Sequence, residues 1–260
     1  MIHPLTKSWL IVLQLVCLAC LLATGNSRAE SADASMAERI QKQLNAVGRG
    51  EYDSIKDPGR KPVETMQFFG VKEGMTVLDA TTGSGYNAEI LSAAVGSSGL
   101  VYAQNSHYVL TLINGAHHKA MLDRLENERL GNVRYMIVDV DDMPFESSID
   151  VVFWGFNMHD VYNKGGENPT VEHLLELRRA LKPGGILAIS EHVGVEGNDN
   201  ADLHRLETRI VFDMLKKAGF TIEETSNLLA NPKDDHSRSI YADGLRYYTD
   251  RIMVKARKPQ

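Results

Sequence analysis

The chain has 260 residues, of which 43% are hydrophobic and 24% are charged, proportions typical of a folded domain rather than a disordered or fibrous chain. The formal net charge of −6 argues against a dedicated nucleic-acid-binding surface. The chain contains only two cysteines, so its composition excludes a disulfide framework and a four-cysteine zinc site.

The N-terminal segment has the pattern of a secretory signal peptide. Lys7 precedes an apolar run at 9–23, and the small residues Ser27 and Ala29 follow it, so we predict cleavage after Ala29. The run is shorter than the roughly 20 residues that a membrane-spanning helix needs. An uncleaved anchor and a lipid anchor through Cys20 are the alternatives. We therefore expect an exported protein without a stable membrane span after cleavage, periplasmic in a Gram-negative source and otherwise secreted.

Residues 30–61 are interpreted as an N-terminal extension that packs on the following domain or covers its cleft. Apolar residues at helical spacing predict a short amphipathic helix there: residues 36–47, with Ile40, Leu44 and Val47 on one face. The proline- and glycine-containing run at 57–62 predicts the end of helical structure.

Residues 62–260 alternate between short apolar runs and helical segments. The predicted strands are Thr76–Asp79, Leu100–Ala103, Val133–Val138, Asp150–Trp154, Ile186–Ser190, Phe220–Glu224 and Ile252–Ala256. The predicted helices lie between Gly85 and Gly96, within Ala116–Leu130, and at Val171–Leu181 and Asp202–Ala218. Strands that alternate with helices indicate one domain with a parallel sheet covered on both faces.

A glycine-containing turn joins the first strand to the first helix of this domain. Gly83 and Gly85 allow the backbone to approach a ligand, and the helix N-terminus offers free N–H groups. A dinucleotide fingerprint, with Ala88 in its third place, would require an acid about 20 residues later. The second strand instead ends in Gln104 and Asn105. A ligand crevice is expected here, and an ordinary turn is the alternative.

The same segments resemble the class I S-adenosylmethionine-dependent methyltransferases over residues 62–256. The resemblance is carried by Asp79–Asn87 as the first motif, Val138–Phe145 as the adenine-reading segment, Asp150–Trp154 as the fourth strand, Leu181–Leu187 as the turn into the fifth strand, and the C-terminal hairpin. It implies a three-layer α/β Rossmann-like fold with a seven-stranded, mostly parallel sheet whose last strand is antiparallel. The Arg60-Lys61-Pro62 segment further resembles a group of exported bacterial methyltransferase-like proteins.

The resemblance implies S-adenosylmethionine as the cofactor and assigns residues to it. The amino-acid end would contact Asp79, Thr81, Gly83 and Gly85, the ribose Asn105, and the adenine Asp139 and the Val140 backbone, with Asn157 completing the set. Two positions depart from the family pattern. Thr81 stands where the family usually has a glycine, and Asn105 where it usually has an acid.

Polar residues that follow the fourth and fifth strands are the candidates for acceptor chemistry. His159 and Asp160 follow the fourth strand, and Glu191 and His192 follow the fifth. Because neighbouring parallel strands end at one edge of a sheet, we expect these groups near the transferred methyl. His159 or His192 would take a proton from the acceptor, and Asp160 or Glu191 would orient the imidazole. Capping of the strand–loop junction is the alternative.

Other polar and aromatic groups are interpreted as follows. A metal site is the alternative to acceptor chemistry. Its candidate ligands are His159, Asp160, Glu191, His192, Asp202 and His204. No pair among them has the helical spacing of a zinc motif, so no metal is predicted. His117, His118 and His173 are predicted on the surface and Phe68 and Phe69 in the core. Residues 230–248 are predicted to form a loop, either at the cleft or in solvent.

The functional hypothesis is methyl transfer from S-adenosylmethionine to a small-molecule acceptor, with no nucleic-acid partner, in an exported compartment. Two alternatives use the same scaffold. One is a non-catalytic protein that binds S-adenosylmethionine or a nucleoside, and the other is a metal-assisted hydrolase.

Overall fold

The computed structural model describes residues 35–260. The predicted signal peptide and its cleavage site lie outside these residues. Within the described part of the chain, no helix has the length and apolar character that crossing a membrane requires.

A twisted sheet forms the centre of the fold, with the order β3-β2-β1-β4-β5-β8-β7. The strands are β1 Thr76–Asp79, β2 Leu100–Asn105, β3 Val133–Ile137, β4 Ile149–Gly155, β5 Leu181–Gly194, β6 Leu206–Glu207, β7 Thr221–Ser226 and β8 Arg251–Arg257. The first five strands pair in parallel, and β8 runs antiparallel to both β5 and β7. The short β6 pairs only with the end of β5. The predicted fold class, including its antiparallel last strand, is confirmed.

Helices cover both faces of this sheet. They are α1 at 35–44, α2 Asp53–Arg60, α3 Pro62–Phe69, α4 Tyr86–Val95, α5 His107–Thr111, α6 Ala116–Leu125, α7 Met158–Gly165, α8 Glu167–Ala180 and α9 Thr208–Lys217. Alternate residues of β1 serve the two faces: Val77 joins the core beneath α1, α3 and α4, and Leu78 joins the core beneath α8 and α9. Phe69 is buried in the first core, as predicted, and Phe68 packs against its ring.

The N-terminal extension differs from its predicted form. The predicted helix at 36–47 ends at residue 44, so Ile40 is buried in the core while Val47 is 94% exposed beyond the helix end. A helix does end within residues 57–62, as predicted, because α2 stops at Arg60 and Lys61 adopts a left-handed conformation, but α2 continues through Pro58 and Gly59 before it ends. A Cβ at Gly59 would lie 2.2 Å from the Tyr247 carbonyl oxygen, so tertiary packing holds this short helix despite its weak local propensity.

Two further boundaries differ between prediction and structure. The helix predicted from Asp202 begins only at Thr208, because the preceding residues form turns around the buried Arg205. That guanidinium binds the Asp234 carboxylate at 2.9 Å, and this ion pair fixes the chain in a non-helical path. Helix α7, for which no helix was predicted, begins one residue before His159, and the His159 side chain is buried.

Candidate active site

A cleft of about 300 Å³ opens at the carboxyl ends of β1, β4 and β5. The glycine turn after β1 lines one side, and the start of α7 with the end of β5 lines the other. Residues 230–248 contribute Ile240, Tyr241, Arg246 and Tyr247, so this segment forms a loop at the cleft, one of its two predicted placements.

The glycine turn has one face open to the cleft and one face packed on the protein. Gly83 has a φ of 58°, and a Cβ built on it would meet nothing within 4 Å. Gly85 has a φ of 82°, and its Cβ would lie 2.4 Å from the sulfur of Met121. Thr81 also adopts a positive φ, of 56°, and its N–H donates to the Gln104 side chain at 2.8 Å. The turn therefore accepts a threonine in place of the family's usual glycine because Gln104 holds its backbone.

Asp79 lies beneath the turn and does not line the cleft. Its carboxylate is 1% exposed and accepts a hydrogen bond from the Thr82 hydroxyl. Burial raises the pKa of Asp79 to about 7. Asp79 therefore shapes the turn, and its predicted contact with the amino-acid end of a cofactor stays a prediction.

Asn105 lies at the predicted position but faces the turn. Its amide nitrogen donates to the Gly83 carbonyl, and its amide oxygen accepts from the Gly83 N–H, both at 2.9 Å. The side chain is fully buried. Asn105 thus fastens the glycine turn, and its predicted contact with a ribose stays a prediction.

The predicted adenine-reading residues lie on a neighbouring surface after β3. The half-exposed Asp139 carboxylate accepts from the His107 backbone N–H at 3.1 Å and lies 3.2 Å from Nδ1 of that ring. Val140 begins a 3₁₀ turn and packs against the core. Asn157 lines the cleft, and its amide donates to the Gly155 carbonyl. The structure places all three near the ends of β3 and β4, and their contacts with a cofactor stay predictions.

His159 and Glu191 form a buried hydrogen-bonded pair. Nδ1 of His159 lies 2.7 Å from one Glu191 oxygen, and the His159 backbone N–H donates to the other at 3.0 Å. Nε2 of His159 is buried and has no hydrogen-bond partner among the described residues. Burial lowers the pKa of His159, but the charge and hydrogen bond of Glu191 outweigh it, so the pKa lies above its usual value.

His192 lies beside this pair in a different electrostatic environment. Its Nδ1 lies 2.7 Å from the Thr249 hydroxyl, and its ring centroid lies 5.6 Å from that of His159. Burial, with the neighbouring positive charges of His159 and Arg251, lowers the pKa of His192 well below its usual value. His192 is therefore neutral at physiological pH, which leaves His159 as the more basic of the two predicted histidines.

Three of the six residues considered for a metal come together. Asp160 lies 3.4 Å from Nε2 of His159 and 3.2 Å from Nδ1 of His204, and ligand atoms of the three lie within 4.8 Å of one another. Glu191 bonds Nδ1 of His159 on the far side of that ring, and His192 bonds the Thr249 hydroxyl. The cluster is thus compact enough for a divalent ion, although the same atoms also suit proton transfer.

Several cationic and aromatic residues at the cleft were not predicted. Arg60 and Arg251 lie against the ring of Phe156, with the guanidinium carbons 5.0 and 5.7 Å from its centroid. Arg60 also lies 4.5 Å from the Tyr86 centroid. The Arg60-Lys61-Pro62 resemblance was the available signal for the first arginine, and Arg251 had none.

The three histidines that were predicted on the surface, His117, His118 and His173, are less exposed than predicted. His173 stacks on Trp154 with centroids 4.5 Å apart, and burial lowers its pKa to about 4, so its placement on the surface was wrong. His118 is half-buried beside the Tyr135 hydroxyl. His117 is half-buried and lines the cleft.

A buried ion cluster supports the glycine turn from below. Nη1 of Arg124 binds Asp53 and Glu89, and its Nε donates to the Ser84 carbonyl at 2.6 Å. Arg129 binds the same Glu89 at 2.7 Å. The cluster connects α2, α4 and α6 to the turn, so the N-terminal extension is structurally coupled to the ligand-facing backbone.

Comparisons with known proteins agree with this architecture. Residues 55–202 match the model of the ubiE/COQ5 methyltransferase family. A ubiquinone/menaquinone biosynthesis C-methyltransferase from Idiomarina loihiensis is 30% identical over 197 residues, which cover 74% of this chain and 67% of that protein.

Two solved structures show the same fold. A SAM-dependent methyltransferase from Aquifex aeolicus has a TM-score of 0.57 and 23% identity, with 79% of this chain and 95% of that chain covered. A phosphoethanolamine N-methyltransferase from Haemonchus contortus, in complex with phosphomonomethylethanolamine and S-adenosylhomocysteine, has a TM-score of 0.55 and 21% identity, with 77% and 53% covered.

The residues of the cleft fit S-adenosylmethionine. The open face of Gly83 gives a ligand room to approach the backbone, and Thr81, Ser84 and Asn157 surround it with polar groups. The family match spans β1, the glycine turn, β4, the start of α7 and β5, which are elements that build this cleft. The chain therefore belongs to the ubiE/COQ5 methyltransferase family and is an S-adenosylmethionine-dependent methyltransferase.

Proposed function

We propose that this enzyme methylates a small acceptor in an exported compartment and that Nε2 of His159 removes a proton from the acceptor. The observation that carries the proposal is the buried pair of His159 and Glu191 at the cleft, because Nε2 of His159 has no hydrogen-bond partner in the described chain and lies 3.4 Å from the Asp160 carboxylate. The predicted signal peptide supports export, and the acidic net charge disfavours a nucleic-acid acceptor.

The glycine turn would hold the cofactor, which supplies an electrophilic methyl group on a sulfonium. The open backbone at Gly83 and the polar groups of Thr81 and Asn157 would bind and orient it. Asn105 and Gln104 fix the turn before a ligand arrives, so little backbone ordering is left for binding.

The local geometry prepares His159 to act as a base. The Nδ1–H group of His159 donates a hydrogen bond to the Glu191 carboxylate, which fixes the tautomer that leaves a lone pair on Nε2. The negative charge of Glu191 also stabilises the imidazolium that forms when Nε2 takes the acceptor proton. The deprotonated acceptor atom is then the stronger nucleophile for the methyl group.

The acceptor is proposed to be a molecule with an acidic O–H or C–H group. The relative from Idiomarina loihiensis is named a C-methyltransferase of ubiquinone and menaquinone biosynthesis, and a carbon nucleophile next to a hydroxyl would need the proton removal that His159 offers. An oxygen acceptor would need the same step.

Calorimetry and a product assay test the proposal. The chain from Glu30 onward is titrated with S-adenosylmethionine and S-adenosylhomocysteine, and small-molecule extracts are screened for acceptors through release of S-adenosylhomocysteine. We expect saturable binding of both nucleosides and turnover with at least one extract fraction. Absence of binding at millimolar concentration would contradict the proposed function.

A further inference from the structure

Two arginines at the cleft lie without a carboxylate partner. Arg251 is 4% exposed, and its guanidinium donates only to the carbonyl oxygens of Thr249, Gly59 and Tyr247. The half-buried Arg60 donates to the Asn87 side chain at 3.5 Å. Across residues 35–260, neither guanidinium has a carboxylate oxygen within 4.0 Å.

Other buried arginines of this protein are paired. Arg124 is 3% exposed and binds Asp53 and Glu89, and Arg205 is fully buried and binds Asp234. Removing a cation from water without an opposite charge costs several kcal/mol, on the order of the whole stability margin of a domain. The unpaired Arg251 therefore departs from the pattern that the protein follows elsewhere.

The two unpaired guanidiniums converge on one ring. Phe156 lies between them at the end of β4 and adopts a positive φ of 63°, a strained conformation for a side chain of this size. Its ring centroid lies 5.0 Å from that of His192. The charge of Arg60, added to burial, lowers the pKa of Arg251 to about 10, so the two cations destabilise each other in the absence of an anion.

The position of the pair indicates which ligand it would meet. Arg251 lies directly opposite His192 in the β5–β8 ladder, on the histidine side of the cleft, whereas Arg60 lies against Tyr86 and Asn87 at the start of α4, so the pair connects the histidine side with the glycine-turn side. Among the charged residues that line the cleft in the described chain, the cations are Lys56, Arg60, Arg246 and Arg251 and the carboxylate is Asp160. A local excess of positive charge in a chain of net charge −6 favours an anionic ligand at this place.

We propose that Arg60 and Arg251, seated on Phe156, form a subsite for an anionic oxygen group of the methyl acceptor, such as a carboxylate or phosphate. This inference rests on the proposed function, because it assigns the substrate class of the same cleft. A guanidinium fork matches the two oxygens of such a group, and the adjacent aromatic ring would pack against the body of the acceptor. The anion would neutralise the cation pair and place the remainder of the acceptor beside His159 and His192.

Benzoate and inorganic phosphate are the probes, and benzamide is the neutral match for benzoate. Thermal unfolding of the chain from Glu30 is measured with each compound at 10 mM and constant ionic strength. We expect benzoate or phosphate to raise the unfolding temperature by several degrees and benzamide to have no effect. No stabilisation by either anion would overturn the subsite, while intact binding of S-adenosylhomocysteine would leave the proposed function standing.

Variants locate the effect. Arg60→Met and Arg251→Lys are expected to lose at least half of the anion-dependent stabilisation, whereas Arg209→Met, on the exposed face of α9, keeps it. If both cleft variants kept the full effect, the assignment to this pair would be wrong. Arg251→Lys retains a positive charge at the buried position. If a variant folds poorly, the comparison of benzoate and phosphate with benzamide on the wild-type protein still tests the subsite.

A second arm separates the acceptor from the cofactor, which also carries a carboxylate. Affinities for S-adenosylhomocysteine and for methylthioadenosine, which lacks the amino-acid group, are compared by calorimetry. We expect Arg60→Met to leave both within twofold of wild type. A tenfold loss for S-adenosylhomocysteine alone would assign the cations to the cofactor and contradict the acceptor subsite.

Discussion

The two sides of the cleft differ in how completely they satisfy their own polar groups. On the turn side, Asn105 binds both backbone groups of Gly83, and Gln104 holds Thr81. On the acceptor side, Nε2 of His159 has no partner in the described chain, and Arg251 has no carboxylate. The first side is held by its own hydrogen bonds, and under the proposed function a ligand would supply the missing partners of the second. This difference predicts that cofactor binding depends on the turn side and proton removal on the acceptor side. Variants on each side test whether the two are separable.

The largest effect is expected from Arg124→Met, which leaves Asp53 and Glu89 buried beneath the turn with fewer partners. Breaking such a buried network costs about 3–5 kcal/mol. The free energy of unfolding, measured with urea, should fall by this amount. The control Glu223→Ala removes a surface pair and should cost at most about 1 kcal/mol. If Arg124→Met and Glu223→Ala lost the same free energy of unfolding, the buried cluster would stabilise the protein no more than a surface pair and would not support the turn.

His159→Ala should lower turnover by about 100-fold, because general base catalysis typically contributes at least that factor. Affinity for S-adenosylhomocysteine should stay within twofold of wild type, since His159 lies on the acceptor side. The control His118→Ala removes a half-buried histidine that bonds the Tyr135 hydroxyl, whose other partner is Asn105 on the turn side, and it should keep its turnover at saturating cofactor. Unchanged turnover in His159→Ala would remove this residue from the mechanism.

Asn105→Asp should weaken cofactor binding about fivefold, since a carboxylate cannot donate to the Gly83 carbonyl and one such hydrogen bond contributes about 1 kcal/mol. The family resemblance alone would predict the opposite, because an acid is usual at this position. Calorimetric titration with S-adenosylhomocysteine distinguishes the two. Tighter binding would show that Asn105 meets the ribose rather than the turn.

The smallest effect is expected in the pH profile of Glu191→Gln. The Glu191 charge raises the pKa of His159, so its loss lowers that pKa. A base is active above its pKa, and the acidic limb of kcat/KM should therefore move to lower pH in the variant. Asp213→Asn, on the exposed face of α9, is the control and should keep the wild-type limb. If the acidic limb does not move in Glu191→Gln, the group that titrates in kcat/KM is not His159.

Much of the fold followed from local pattern. Thr76–Asp79 was predicted residue by residue because a buried parallel strand is a continuous apolar run between turns. The pairing of His159 with the end of β5 was anticipated because parallel strands end at one edge. By contrast, α2 passes through Pro58 because of its packing against a distant loop, which no local signal reports.

The unpredicted parts of the site depend on side-chain orientation and on contacts far apart in sequence. The direction of the Asn105 amide is set by hydrogen bonds to a turn 22 residues away. Arg251 contacts the Gly59 carbonyl across 192 residues, and no spacing rule relates the two. Residue types and strand order predicted where the cleft is, and the pairing of its polar groups required the folded chain.

The separation of the two sides is tested most directly by titrating wild type, His159→Ala and Asn105→Asp with S-adenosylhomocysteine under one condition. The structure predicts equal affinity for wild type and His159→Ala and an affinity about fivefold weaker for Asn105→Asp. Loss of affinity in His159→Ala together with unchanged affinity in Asn105→Asp would contradict it.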